Sequence, residues 1–449
     1  MARRALAAAA TVVALTGCTA AGPSPQPSAH DEHAAAAPDG AGSSSSLDDT
    51  GTSVAVAPEQ WAGARIRSVT DLVQRRYTAV GRSDRAGWLG ALGDRPDASL
   101  SGTQAAVFDR MARMGAGDFH VTGLRETTPP VPAPAGVPVE WDARVSLTYR
   151  LRGFDTQPRA FDLDLTLKAP SGAPARLVVS GSSPSGRPQP WDLADLVVRR
   201  SPTSLVLAVG GSSRVDEVVA RARTAATRVA AVWGSARPAV WVAPATDTDA
   251  AALLGRTTDG LGEVAAATDG PLTPGQRAGA DRIVLVPGAW AALRPAGRDV
   301  VMTHELTHVT VRASTTRAVP LWLSEGFAEL VAYEPIDLPE ATIVAPALQQ
   351  VRASGLPSAL PADADFEPGT ASLPAAYGLS LLALRTLADV HGTPAVVRLY
   401  RAAAGGSDMP TARLGDSEAA VDDALGSVLH TSRAAVVGRW QQRLERLLR

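Results

Sequence analysis

His304 and His308 stand one helical turn apart in the stretch Thr303-His304-Glu305-Leu306-Thr307-His308. No other feature of this 449-residue chain restricts its fold as much, because the stretch prescribes both a helix and what that helix must face. On an α-helix four residues rise about 6 Å and turn about 400°. The two imidazoles therefore project from one face and can converge on one cation, at about 2.0–2.1 Å each. Glu305 lies one residue further round, so it sits beside that cation without sharing the ligand position. Val300, Val301, Leu306, Val309 and Val311 give the segment apolar faces to bury. The spacing predicts a helix over residues 299–312.

Two histidines do not complete a catalytic metal site, which takes three protein ligands and keeps one position open. The third ligand is assigned to Glu325, in Trp322-Leu323-Ser324-Glu325-Gly326-Phe327-Ala328-Glu329. Two His and one carboxylate also form the facial triad of non-haem iron oxygenases. That chemistry has no use for a free Glu beside the first His. A hydrolytic site does, because a carboxylate there can take the proton of a metal-held water. A closed structural site needs four ligands, and the chain has a single cysteine.

The two stretches together resemble the gluzincin group of zinc metallopeptidases, in which His-Glu-x-x-His is followed on a second helix by a ligand Glu. The resemblance implies zinc held by His304, His308 and Glu325, with Glu305 as general base. It also implies that Glu329, one turn beyond Glu325, orients His304; ligand histidines usually give their other N–H to such a partner. In that family a Tyr or His of a later helical subdomain donates to the oxyanion. Tyr377 is the first candidate for that donor and His391 the second. The family's strand before the motif helix forms the edge on which peptide lies. Residues 283–286 are the candidate, with substrate adding as an extra strand, and a buried core strand is the alternative. Aminopeptidases of the group carry a Gly-x-Met-Glu-Asn loop upstream. Pro287-Gly288-Ala289-Trp290 stands upstream here, which favours an endopeptidase. The competing class is a non-catalytic zinc-binding module acting as a cell-surface scaffold.

Arg3 and Arg4 followed by a short apolar run over residues 5–15 read as a secretion signal. The run ends in Leu15-Thr16-Gly17-Cys18, which resembles the lipoprotein box of bacteria. Cys18 is the only cysteine, and an odd cysteine in an exported chain needs an explanation. Lipidation of Cys18 supplies one and implies an anchor on the extracytoplasmic face of the cell membrane. Residues 19–57, rich in Ala, Ser, Pro and Gly, read as a flexible tether. Within them His30, Asp31, Glu32 and His33 read as solvated polar residues. The formal charge is −2 and basic runs do not exceed a pair such as Arg75-Arg76. Nucleic acid is therefore not expected as a partner; a peptide or protein substrate is.

The length suits two or three domains. Residues 58–200 read as an α+β domain, with helices first and alternating strands after. Phe161, Leu163, Leu165 and Leu167 fall on one face and Asp162, Asp164 and Thr166 on the other. That order resembles the cone-shaped nuclear transport factor-like fold. Residues 201–449 read as the gluzincin-like domain, mainly helical with a small sheet. The fold class expected is thus α+β throughout.

Overall fold

The computed structural model of the chain describes residues 58–128, 137–169, 176–262, 264–271, 273, 275–367, 369–405 and 417–449. The secretion signal, Cys18, the tether and its His30–His33 cluster lie outside the described residues. Among the described residues no helix is long and apolar enough to cross a membrane.

The chain is α+β, as its patterning predicts. It opens with α1 (Pro58–Gly81), α2 (Arg85–Gly90) and α3 (Ala98–Met114). Asp84 and Asp97 start α2 and α3 by accepting from the backbone N–H of Gly87 and Leu100, donors that the first turn of a helix leaves unpaired. Four strands follow in an antiparallel meander: β1 (Ala116–Glu126), β2 (Val139–Leu151), β3 (Arg159–Ala169) and β4 (Val178–Ser185). On β3 the alternation holds, with Phe161, Leu163, Leu165 and Leu167 all buried. They face α1–α3 across a cluster of rings. Tyr149 and Trp191 approach to 4.7 Å between centroids, and Phe161 and Trp191 to 5.2 Å. Edge-on aromatic contacts of this kind fill the interior of the unit.

The second sheet contains β5 (Leu196–Arg200), β6 (Ser204–Val209), β7 (Ala239–Ala243), β8 (Ala266–Asp269) and β9 (Arg282–Leu285). Its order is β5-β6-β7-β9-β8, with β6, β7 and β9 parallel and the two outer strands antiparallel to them. Residue 200, the expected end of the first domain, falls inside the β5–β6 hairpin, so β5 belongs to the sheet of the second unit. Helix α4 (Ser212–Trp233) crosses from β6 to β7. Continuous apolar runs such as Val240-Trp241-Val242 are buried on both faces, as parallel strands under helices require.

One expectation is corrected here. Residues 283–286 do not form an edge: β9 is paired on both sides, to β7 and β8. The outer strand on that side is β8. Its sequence, Ala266-Ala267-Thr268-Asp269, has little intrinsic strand preference. Pairing with the strongly apolar β9 recruits it.

After α5 (Asp247–Leu254) and the short α6 (Pro287–Ala292), the regular structure of the described residues is helical. The order is α7 (Pro295–Arg312), α8 (Leu321–Tyr333), α9 (Glu340–Ile343), α10 (Ala345–Ser354), α11 (Leu373–His391), α12 (Thr393–Ala403), α13 (Ser417–Leu429) and α14 (Arg433–Leu448). Helix α7 lies between α4, α8 and strand β8, and α8 packs along α11. Trp440 of α14 is fully buried and donates its indole N–H to Leu379 O at 3.1 Å.

Candidate metal centre

Helix α7 carries His304, Glu305 and His308, and α8 carries Glu325 and Glu329. Both helices are enclosed nearly all round. Residues 300–311 of α7 are buried without a break, as are Trp322, Leu323 and most of the rest of α8. A helix buried on every side belongs in a core, and its polar side chains then need partners among themselves.

They find them. Nε2 of His304 and Nε2 of His308 stand 3.0 Å apart, and each lies 3.2 Å from Oε2 of Glu325. Three donors about 2.0–2.1 Å from one tetrahedral cation would lie about 3.3–3.4 Å from one another. The observed triangle is slightly tighter than that and has the right shape. His304, His308 and Glu325 are thus a buried group that could hold a metal ion. Nδ1 of His304 sits 2.9 Å from Oε1 of Glu329, and neither atom has another partner. With its proton on that side, His304 turns the Nε2 lone pair toward the triangle.

The charges agree. Burial favours a neutral Glu325, but the two imidazoles outweigh it and hold the carboxyl far below its usual range. Burial lowers both histidines; at His304 the carboxylates of Glu325 and Glu329 reverse this and raise it to about 10, whereas His308 stays below its ordinary value. Two carboxylates facing one histidine call for a positive charge at this spot, which is the electrostatic demand a cation meets.

Glu305 is fully buried and outside the triangle. Desolvation pushes its carboxyl up to about 7, against the opposing pull of His304 and of a hydrogen bond from Thr268. The hydroxyl of Thr268, on β8, donates to Glu305 Oε2 at 2.6 Å. The other oxygen, Oε1, is buried and has no hydrogen-bond partner.

Tyr377 lies at the start of α11, buried, with its ring centroid 6.1 Å from that of His304. Burial raises its phenol well above the ordinary tyrosine value, and the nearby Glu325, Glu329 and Glu305 carboxylates add to this. Its hydroxyl is hydrogen-bonded to Glu325. Phe366 packs edge-on against it at 5.5 Å. His391 closes the same helix at its far end, about 21 Å along the axis from Tyr377, so it does not reach the group. Pro287 and Gly288 open α6, where Gly288 N–H is held by Asp247 at 2.8 Å.

The structure therefore brings together His304, Glu305, His308, Glu325, Glu329 and Tyr377, and leaves His391 out. Thr268 was not visible in the sequence. It stands 37 residues from its partner Glu305 in an alanine-rich run, and no local signal marks it. No protein-family model, curated protein or solved structure matches this chain.

Proposed function

We propose that the chain is a zinc metallopeptidase that hydrolyses peptide bonds, most simply as an endopeptidase, tethered to the extracytoplasmic face of the membrane through lipid on Cys18. The observation that carries this reading is Glu305. A buried carboxylate with one oxygen held and the other unpartnered, next to a three-ligand triangle, is costly as structure and useful as a base. Zinc held by His304, His308 and Glu325 would supply a Lewis acid that polarises the scissile carbonyl and makes a bound water easier to deprotonate. Glu305 Oε1 takes the proton of the attacking water and later returns it to the leaving amine. Glu329 keeps His304 in the tautomer that offers Nε2. Tyr377, fully protonated at neutral pH, is the oxyanion donor proposed; to serve, its O–H must turn from Glu325 to the carbonyl oxygen.

A second reading draws on one observation. His304 and Glu305 are each 0% exposed, which also suits a zinc-binding module with no turnover. The zinc-loaded protein and its Glu305→Gln variant, both incubated with a mixed peptide library and read by mass spectrometry, separate the two. Cleavage by the parent, slowed about 10²- to 10⁴-fold in the variant, is the outcome expected. Equal cleavage by both would remove Glu305 from the chemistry, and no cleavage by either, with zinc bound, would favour the module.

A further inference from the structure

Strand β8 touches both the four-stranded unit and the motif helix α7. Successive side chains of a strand point to opposite faces, and on β8 this sends Thr268 toward α7 and Asp269 the other way. Thr268 is 0% exposed and gives its hydroxyl proton to Glu305 Oε2 at 2.6 Å, with a longer contact of 3.3 Å to the Glu305 carbonyl. Asp269 is paired with Arg159 of β3 and with Arg187, the latter at 2.8 Å. Arg159 also donates to Ala280 O at 3.1 Å, across the loop that joins β8 to β9. The outer strand is therefore clamped by the four-stranded unit, and from that fixed backbone one hydroxyl reaches Glu305.

We propose that Thr268 is a positioning residue for Glu305: it holds Oε2 so that Oε1 alone is presented to a water. Three points carry this. The bond is short, at 2.6 Å, and both of its ends are buried. Thr268 is the one side chain hydrogen-bonded to Glu305 among the described residues. A glutamate has three rotatable bonds, and without that bond its carboxylate has no polar side chain to fix its direction, which a base acting on a water requires. The clamp at Asp269 gives the first unit a part in this arrangement, as the support from which the hydroxyl is aimed.

The inference rests on the peptidase reading and is tested so that the two fail separately. The full-length, zinc-loaded chain is compared with its Thr268→Val and Thr268→Ser variants, using casein as the probe substrate. Thr268→Val is expected to bind one zinc and unfold at the parent temperature, yet to show kcat about 10–100-fold lower, the usual size of such supporting contacts, at unchanged KM. Thr268→Ser, which keeps the hydroxyl, is expected to recover most of that loss. Parental kcat in Thr268→Val overturns the proposal. So does a Ser variant as slow as the Val variant, because the loss then belongs to the methyl group and its packing. Thr268→Ala replaces Thr268→Val if the latter does not fold. Should the zinc-loaded parent cleave no casein, that result counts against the peptidase alone. Crystal structures of parent and Thr268→Val then decide the positioning role: a displaced Glu305 carboxylate sustains it, and an unmoved one overturns it.

Discussion

Gly326 directly follows the candidate ligand Glu325 and faces α11 closely. A Cβ built there would lie 2.8 Å from Ser380 O and 2.8 Å from Leu384 Cδ2, too near for either to remain where it is. Gly326→Ala must push the two helices apart, at a cost of about 1–3 kcal/mol for overpacking. The displaced residue is bonded to Glu325, so zinc affinity should fall with stability. Thermal unfolding and chelator competition check the two effects; unchanged zinc affinity would mean that α8 moves without carrying its ligand. At this scale helix spacing made His304, Glu305 and His308 legible, whereas Glu325, Glu329 and Tyr377 were reached through the resemblance of their stretches to a known family. His304 and His308 share a face by helix geometry, and Glu325 and Glu329 share another. Thr268 was not legible, since its role arises from a tertiary contact between a strand and a distant helix.

Among elements, legibility follows how strongly local pattern and burial agree. Phe161, Leu163, Leu165 and Leu167 alternate, and β3 follows from them. Ile283, Val284 and Leu285 identify β9 but say nothing of its neighbours, and its place inside the sheet depends on β8, an alanine-rich strand without a pattern of its own. The same scale holds a pH effect. In the single helical turn Pro190–Asp192, Asp192 accepts the Gln189 N–H at 2.7 Å. Burial raises its carboxyl from 3.8 to about 6, opposed by that hydrogen bond and by Arg110. A raised acid favours the folded state only when protonated. The destabilisation is absent below the unfolded pKa, grows as pH rises toward the folded one, and is complete above it. It amounts to at most about 3 kcal/mol, lessened by the solvent that the partly exposed side chain still meets. Asp192→Asn should thus stabilise the protein above pH 6, with the gain vanishing below about pH 4. Denaturant titrations at the two pH values measure it, and an equal gain at both would assign the effect to something other than ionisation.

At the scale of the whole molecule, two sheets are joined through buried charge. Both guanidinium arms of Arg282, on β9, grip Asp155 at 2.7 Å, with side chains 3% and 2% exposed. Beside them Thr156 N–H reaches Gly279 O at 2.8 Å, where a Cβ would strike Gln157. Removing one partner strands a buried charge. Asp155→Ala should cost about 3–5 kcal/mol and shift the unfolding of both units together, which calorimetry reads as one lowered transition; two separated transitions would show that the units are not coupled through this pair. None of this joint was legible in advance, because Asp155 and Arg282 are far apart in sequence and neither belongs to a recognisable pattern.

The burial of the candidate metal centre also has a kinetic consequence. His304, Glu305 and Tyr377 are 0%, 0% and 3% exposed and the His308 side chain 4%, so the group offers almost no surface to a peptide or a chelator while the chain holds this arrangement. Passage must wait for an opening fluctuation, and that fluctuation sets a ceiling on every exchange through it. Zinc loss to a chelator should therefore stop accelerating once the chelator is abundant, levelling off at the opening rate itself. A loss rate that rises in proportion to chelator without limit would mean that the ion is reached directly. If a plateau is found, its value is also an upper bound on turnover, fixed by how often the protein opens and independent of which peptide waits outside.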